Sequence, residues 1–254
     1  MKMKPRGMTA AMLGIAGIFI WVGMAHGAEI KVLSSTAIKE PFVELIPGFE
    51  RSTGNKVVAM WAGTIDVLKR LQGGEVVDLV ILSGPAIDEL IKQGKIVPGS
   101  RVDLAKSGVG VAVRSGAPKP DISTADALKR SLLAAKSIAY STGPSGVYLG
   151  GLFQRMGIAD ELKAKTKVSA PGVSVGEMVA RGEAEIGFQQ VSELLPVAGI
   201  DYLGPLPAEI QSLTVFSGGI HTGASQPDAA RALVKYITSP EAVPVIKKKG
   251  MEPG

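Results

Sequence analysis

From residue 29 onward the chain alternates short runs of β-branched and aliphatic residues with longer segments in which apolar residues recur every three or four positions. The short runs predict strands over 29–34, 55–62, 77–83, 107–115, 137–141, 166–171, 184–190 and 213–220. Helices are predicted over 37–52, 64–73, 85–93, 123–134, 145–157, 174–181, 191–195, 226–237 and 239–248. Parallel strands need long crossovers, which helices supply, so the pattern is that of an α/β fold with mainly parallel strands. Capping residues agree with these borders. Gly54 with Asn55, and Gly94, stand where helices end. Ser123 stands where a side-chain cap is expected, and Pro227 and Pro240 each fall in a first turn behind a serine.

The order of elements predicts two lobes joined by a chain that crosses more than once. The run SGVGVAVRSGAP reads as a strand leaving the first lobe, and LTVFSGGI as a strand returning to it. The expected organisation is residues 28–112 for the first part of lobe 1 and 113–212 for lobe 2. Residues 213–254 would hold the return strand and the last helices of lobe 1.

Residues 1–27 stand apart. Lys2, Lys4 and Arg6 precede an uncharged apolar run from Met8 to Met24, followed by the small residues Ala25 and Gly27. This is the layout of a cleavable secretory signal, with cleavage expected before Ala28; a retained membrane anchor is the alternative. Removal of those three basic residues brings the formal charge of +5 close to neutral. A near-neutral surface poor in aromatics gives no footing for nucleic acid, and Lys247, Lys248 and Lys249 read as a solvated helix end. The chain has no cysteine, so an exported form has no disulfides to lean on.

Three predicted strands empty into small and hydroxyl residues directly before a helix: LSSTA at 33–37, WAGTID at 61–66 and YSTGPSGVY at 140–148. Such a junction leaves the first N–H groups of a helix pointing at open space, where the helix dipole favours an anion. In an open parallel sheet these junctions share the carboxyl edge, where ligands bind. One hydroxyl before a helix is an ordinary cap; three junctions with surplus hydroxyls describe a neutral anion cradle. GPSGVYLGG lacks the lysine and spacing of a phosphate loop, and no GxGxxG follows the first strand. No cofactor is expected. A metal site is not expected either, because the chain beyond residue 27 has one histidine, His221, and no carboxylates clustered at ligand spacing.

The stretch KVLSSTAIKEPFVELIPGFERSTGNKVVAMWAGTIDVLKRLQGGEVVDLVILSG, the later GEAEIGF and the terminal SQPDAARALVKYITSPEAVPVIKKKGM resemble the molybdate-binding proteins of ABC importers. These are members of the type II periplasmic binding protein superfamily. The resemblance implies two α/β lobes, each a mostly parallel sheet flanked by helices, closing by a hinge on an oxyanion. It also implies a periplasmic, monomeric protein with an inner-membrane ABC permease as partner. By position, Ser34 and Ser35 match the family's first ligand-binding serine motif, and Thr64 stands where Ala-Gly-Ser supplies the second. Ser145 and Gly146 fall in the second-lobe loop that donates from the backbone, and Val173 and Ser174 fall near the next contact loop.

Two departures shift the expected ligand. Gln189 and Gln190 place amides where the family has apolar or phenolic groups, and Trp61 adds bulk before the AGT turn. Both point away from a tetrahedral oxyanion and toward a small organic carboxylate. The same superfamily contains aconitate isomerase, which moves a proton across an allylic carboxylate system, so an enzyme is the alternative to a binding protein. Such an enzyme needs a base within reach of a carbon-bound proton. Tyr148, Glu177 and Glu193 are the candidates; His221 is assigned to the surface or the hinge.

Overall fold

The computed structural model describes residues 27–254 and Met1; the expected signal segment lies outside the described residues. In chain order the elements are β1 (Glu29–Ser35), a 3-10 turn (Thr36–Ile38), α1 (Lys39–Thr53), β2 (Lys56–Ala62), α2 (Thr64–Gln72), β3 (Leu79–Ser83), α3 (Gly84–Lys92) and β4 (Val102–Arg114). They continue with α4 (Ala125–Ala134), β5 (Ile138–Tyr140), α5 (Pro144–Arg155), α6 (Ala159–Lys163), β6 (Thr166–Val168), α7 (Val175–Ala180), β7 (Ile186–Gln190) and α8 (Val191–Leu194). The chain ends with β8 (Ile200–Pro205), β9 (Leu213–Ile220), α9 (Pro227–Ile237), α10 (Val243–Lys248) and β10 (Glu252–Pro253).

Strands β2, β1 and β3 run parallel in that order, as do β6, β5 and β7. The two parallel trios are joined through antiparallel strands. β9 pairs β3 on one side and the first part of β4 on the other, while the second part of β4 pairs β7 and β8. β4 and β9 are therefore the crossover strands between two lobes.

Side-chain alternation explains the layering in each lobe. On β1, Ile30 and Val32 point into a core with Phe42 and Phe49 of α1 and Leu233 of α9, while Leu33 points the other way onto Val67, Leu71 and Leu90 of α2 and α3. The second lobe repeats the plan: Ile186 and Phe188 of β7 meet Leu149 and Phe153 of α5, and α7 covers the opposite face through Val175 and Val179. α7 lies so close that a Cβ on Gly187 would collide with Val179. Loss of a fully buried ring such as Phe42 or Phe216 would cost about 3–5 kcal/mol.

Several local readings are corrected. Thr124, not Ser123, caps α4, its Oγ1 accepting from Ala127 N at 3.1 Å. The serine before α9 does not cap it. Instead the buried Asp78, directly before β3, uses Oδ1 to accept from Ser225 N and Gln226 N, both at 2.8 Å, and so fixes the approach to α9 from outside its own segment. The strand predicted over 166–171 stops at Val168, because Pro171 cannot donate to a ladder and Gly172 takes a φ of 75°. β8 and α6 went unpredicted. β8 is short, half-buried and paired to β4 across a register shift at Val111/Ala112, which blurs any alternation.

Candidate functional site

The carboxyl ends of the parallel strands in both lobes converge on one cleft of about 530 Å³. From lobe 1 come the residues after β1 (Ser35, Thr36) and after β2 (Gly63, Thr64). From lobe 2 come the loop into α5 (Ser141 to Ser145), the loop after β6 (Ser169 to Ser174) and the end of β7 with α8 (Gln189 to Glu193). At the mouth the lobes touch: a Cβ on Gly63 would lie 3.3 Å from Gly172 N.

The candidate ligand residues divide. Ser35, Thr64, Ser145, Val173, Ser174, Gln189 and Gln190 all border the cleft. Ser34 does not. It is 0% exposed within the sheet, and its Oγ donates to Ser35 O at 3.2 Å, so the odd-even pleat gives the cleft to Ser35 alone. Gly146 is buried beneath the cleft, where its missing Cβ lets α5 pack onto the Ser141 carbonyl. Two of the bordering hydroxyls are also caps: Ser35 Oγ accepts from Ala37 N at 3.3 Å, and Ser174 Oγ accepts from Glu177 N at 3.3 Å. By contrast Gly63 and Gly143 precede α2 and α5 with no side-chain cap; because Pro144 has no N–H, the first free donors at these two starts are the N–H groups of Thr64 and Ser145, both cleft residues.

The two glutamines are not spare donors. Gln189, 5% exposed, uses its carbonyl to accept from Val175 N at 3.0 Å and so holds the start of α7. Gln190, 1% exposed, spans the crossover strands: Nε2 donates to Ser107 O at 3.0 Å and Gly108 O at 3.2 Å, and Oε1 accepts from Thr214 Oγ1 at 2.9 Å, the amide orientation that satisfies every partner. Trp61 likewise adds no bulk to the cleft, because its ring packs edge-on to Phe42 at 5.8 Å in the lobe 1 core. The departures from the family pattern therefore serve internal contacts rather than reaching directly for a larger ligand.

Of the three candidate bases, Glu177 and Glu193 border the cleft and Tyr148 does not. Tyr148 faces away from it, donating to Ile210 O at 2.6 Å. Glu177 sits on the exposed rim, 3.7 Å from Arg181. Glu193 is half-buried on the cleft floor, where Thr36 Oγ1 from the other lobe donates to its Oε1 at 2.7 Å. Loss of water around the carboxylate raises its pKa above the ordinary 4.5, and hydrogen bonds from Thr36, the Gln189 side chain and the Gln190 backbone only partly offset this. Glu193 forms no ion pair with a cation among the described residues. His221 belongs neither to the surface nor to the hinge. It is 6% exposed at the end of β9, its Nδ1 accepts from Gly223 N, and burial and Lys95 lower its pKa while Asp78 opposes them.

Sequence reasoning missed Lys39, which also borders the cleft. A signal existed: Lys39 is the first residue of α1, where a cation opposes the helix dipole, and such a local conflict marks a functional position.

Two α/β lobes, linked by crossing strands and opening onto a shared cleft at their carboxyl edges, define a type II binding-protein architecture. The family model described as bacterial extracellular solute-binding protein matches residues 30–252, and the chain belongs to that family. It is 42% identical to an aconitate isomerase from a Pseudomonas species over 230 residues, which cover 88% of this chain and 87% of that one. It is 29% identical to the molybdate-binding protein ModA of Azotobacter vinelandii over 235 residues, covering 89% and 90% of the two chains. The solved structure of the Azotobacter vinelandii periplasmic molybdate-binding protein superposes with a TM-score of 0.74 at 22% identity, over 89% of this chain and 99% of that one. Among the described residues no helix is long and apolar enough to cross a membrane.

Proposed function

We propose that this chain is a periplasmic monomer, exported by a cleaved signal, that encloses a small polycarboxylate and shifts an allylic proton within it, interconverting cis- and trans-aconitate. The observation that carries the reading is Glu193: a carboxyl side chain in the floor of an anion cradle, in no ion pair among the described residues. A pure carrier of dianions gains nothing from such a group, since like charges repel at close range. A proton-transfer enzyme needs it, and its raised pKa makes it a stronger base.

In the proposed step the Glu193 carboxylate takes a proton from the CH2 group next to the carbon–carbon double bond. The electron pair of that C–H bond spreads over the allylic and carboxylate system, and the double bond moves. Protonated Glu193 then returns the proton at the former vinylic carbon. Atoms and electrons balance with no cofactor. Ser35, Thr64, Ser145 and the open N-termini of α2 and α5 would hold the carboxylates and the negative charge that develops. Lys39 would offset the ligand's charge at the mouth. A cleft of about 530 Å³ is of the size that holds small organic ligands.

A second reading, capture of a molybdate-like oxyanion or small carboxylate for an ABC permease without chemistry, draws on the family and on the molybdate-binding relative. Incubating the purified protein with either aconitate isomer and following the other by chromatography decides between them. Conversion above buffer is expected. Tight stoichiometric binding of one anion, found in a thermal-shift panel of oxyanions and carboxylates, with no conversion of either isomer, would make the chain a carrier.

A further inference from the structure

Thr36 was the third hydroxyl of the SST run and has no capping role: Ser35 accepts from the 3-10 turn, and Thr36 Oγ1 points across to the other lobe. The bond to Glu193 Oε1, at 2.7 Å, is the shorter of the direct contacts that Thr36 and Ser35 make through their hydroxyls. It sits in a fixed frame. A neighbour of each partner makes a second inter-lobe bond, Ser192 Oγ donating to Ala37 O at 2.7 Å, and Ser192 Oγ lies 3.4 Å from Ser107 Oγ on crossover strand β4. On the lobe 2 side, Gln189 also lines the cleft, its carbonyl anchored on the start of α7 by Val175 N and Gly176 N. Glu193 is thus held by a neutral hydroxyl from the opposite lobe, beside a second inter-lobe bond between Ser192 and Ala37.

We infer that Thr36 is the positioning residue for Glu193, orienting the carboxylate from the opposite lobe so that it meets the substrate carbon in a single geometry. This rests on the reading of Glu193 as the base. A neutral donor suits the task, because an arginine or lysine in its place would lower the basicity that proton abstraction needs. The other titratable groups bordering the cleft are Lys39, Glu40 and Glu177; Glu40 lies 3.8 Å from Lys249 and Glu177 pairs with Arg181, so neither is the partner of Glu193. Without Thr36, the carboxylate loses one of the donors that favour its charged form, and it gains rotamer freedom.

Thr36→Val keeps the shape and removes the donor; Thr36→Ser keeps the donor. For Thr36→Val, kcat should fall roughly tenfold or more, the scale of one hydrogen bond to a charged group, while KM stays within about twofold. The acid limb of its kcat profile should move to higher pH, and Thr36→Ser should restore both. A KM rise with an unmoved pH limb would make Thr36 a ligand contact and overturn the assignment. The second readout needs no turnover: in full-length protein carrying 13C-carboxyl glutamate, the Glu193 resonance, assigned by its loss in Glu193→Gln, is titrated by NMR. Its midpoint should rise in Thr36→Val and return in Thr36→Ser. Unmoved titration overturns the positioning role whether or not the protein isomerises aconitate, and absent conversion with a moved titration overturns only the reading of the reaction.

Discussion

The two walls of the cleft are built from the same kind of element, the loop after a parallel strand, yet they differ in chemistry. The lobe 1 wall offers hydroxyls and an uncapped helix start: Ser35, Thr36, Gly63 and Thr64. The lobe 2 wall shares that theme in the loop into α5, then departs from it at the end of β7, where two glutamines stand just before α8, which carries Glu193. The comparison teaches that holding an anion and acting on it are separable. In the proposed reading the hydroxyl junctions of both walls do the first, and the departure is concentrated where the second would occur. It also teaches that the departure is a small assembly: Gln190 ties the crossover strands, Gln189 locks α7, and Glu193 stands on what those two hold still.

The sharpest way to break this division is Glu193→Gln. Conversion of aconitate should fall by about a hundredfold or more, the usual range for loss of a general base, while affinity measured by calorimetry stays within a few-fold. Equal loss of both would put Glu193 in the binding machinery instead. Next comes Gln190→Leu, which leaves the Ser107 and Gly108 carbonyls and the Thr214 hydroxyl without their partner. Denaturant unfolding should show a loss of about 1–3 kcal/mol. On the opposite wall, Ser35→Ala and Thr64→Ala should each weaken anion binding roughly fivefold, about 1 kcal/mol, with the melting temperature little changed. The smallest effect concerns pH. Burial raises the folded-state pKa of Glu193, so its proton stabilises the fold fully below the ordinary value of 4.5, and that stabilisation is lost as pH rises through the folded pKa. Glu193→Gln has no such proton to lose, so its melting temperature should exceed that of the natural protein at neutral pH, with the gap closing on acidification.

Much of the fold was legible because alternation and helical period are local properties. β1, β3, β7 and β9 begin or end within a residue or two of the predicted runs. What the sequence hid were contacts made at a distance. The approach to α9 is held by Asp78, directly before β3, so no pattern near residue 226 could announce it. The cleft was legible as a set of strand-to-helix junctions, which is why Ser35, Thr64 and Ser145 arrive there. It was not legible at the resolution of single side chains: Ser34 and Ser35 differ only in which face of the pleat they occupy, and Gln189 and Gln190 only in what each meets beyond its own strand. Glu193 could be named from its place after β7, but its partner Thr36 lies far away in the chain.

The crossing of β4 and β9 also sets an order of assembly. The second lobe's core draws on one unbroken stretch, from Val109 to Ile210, whereas the first lobe's sheet takes β9 beside β3 and α9 against α1 only from the end of the chain. Closing that long loop is an entropic cost that only the final contacts repay. A chain emerging N-terminus first thus presents its first lobe early but cannot finish it. All contacts of the second lobe's core are available before those that complete the first, whose β3 keeps one edge unpaired until β9 arrives.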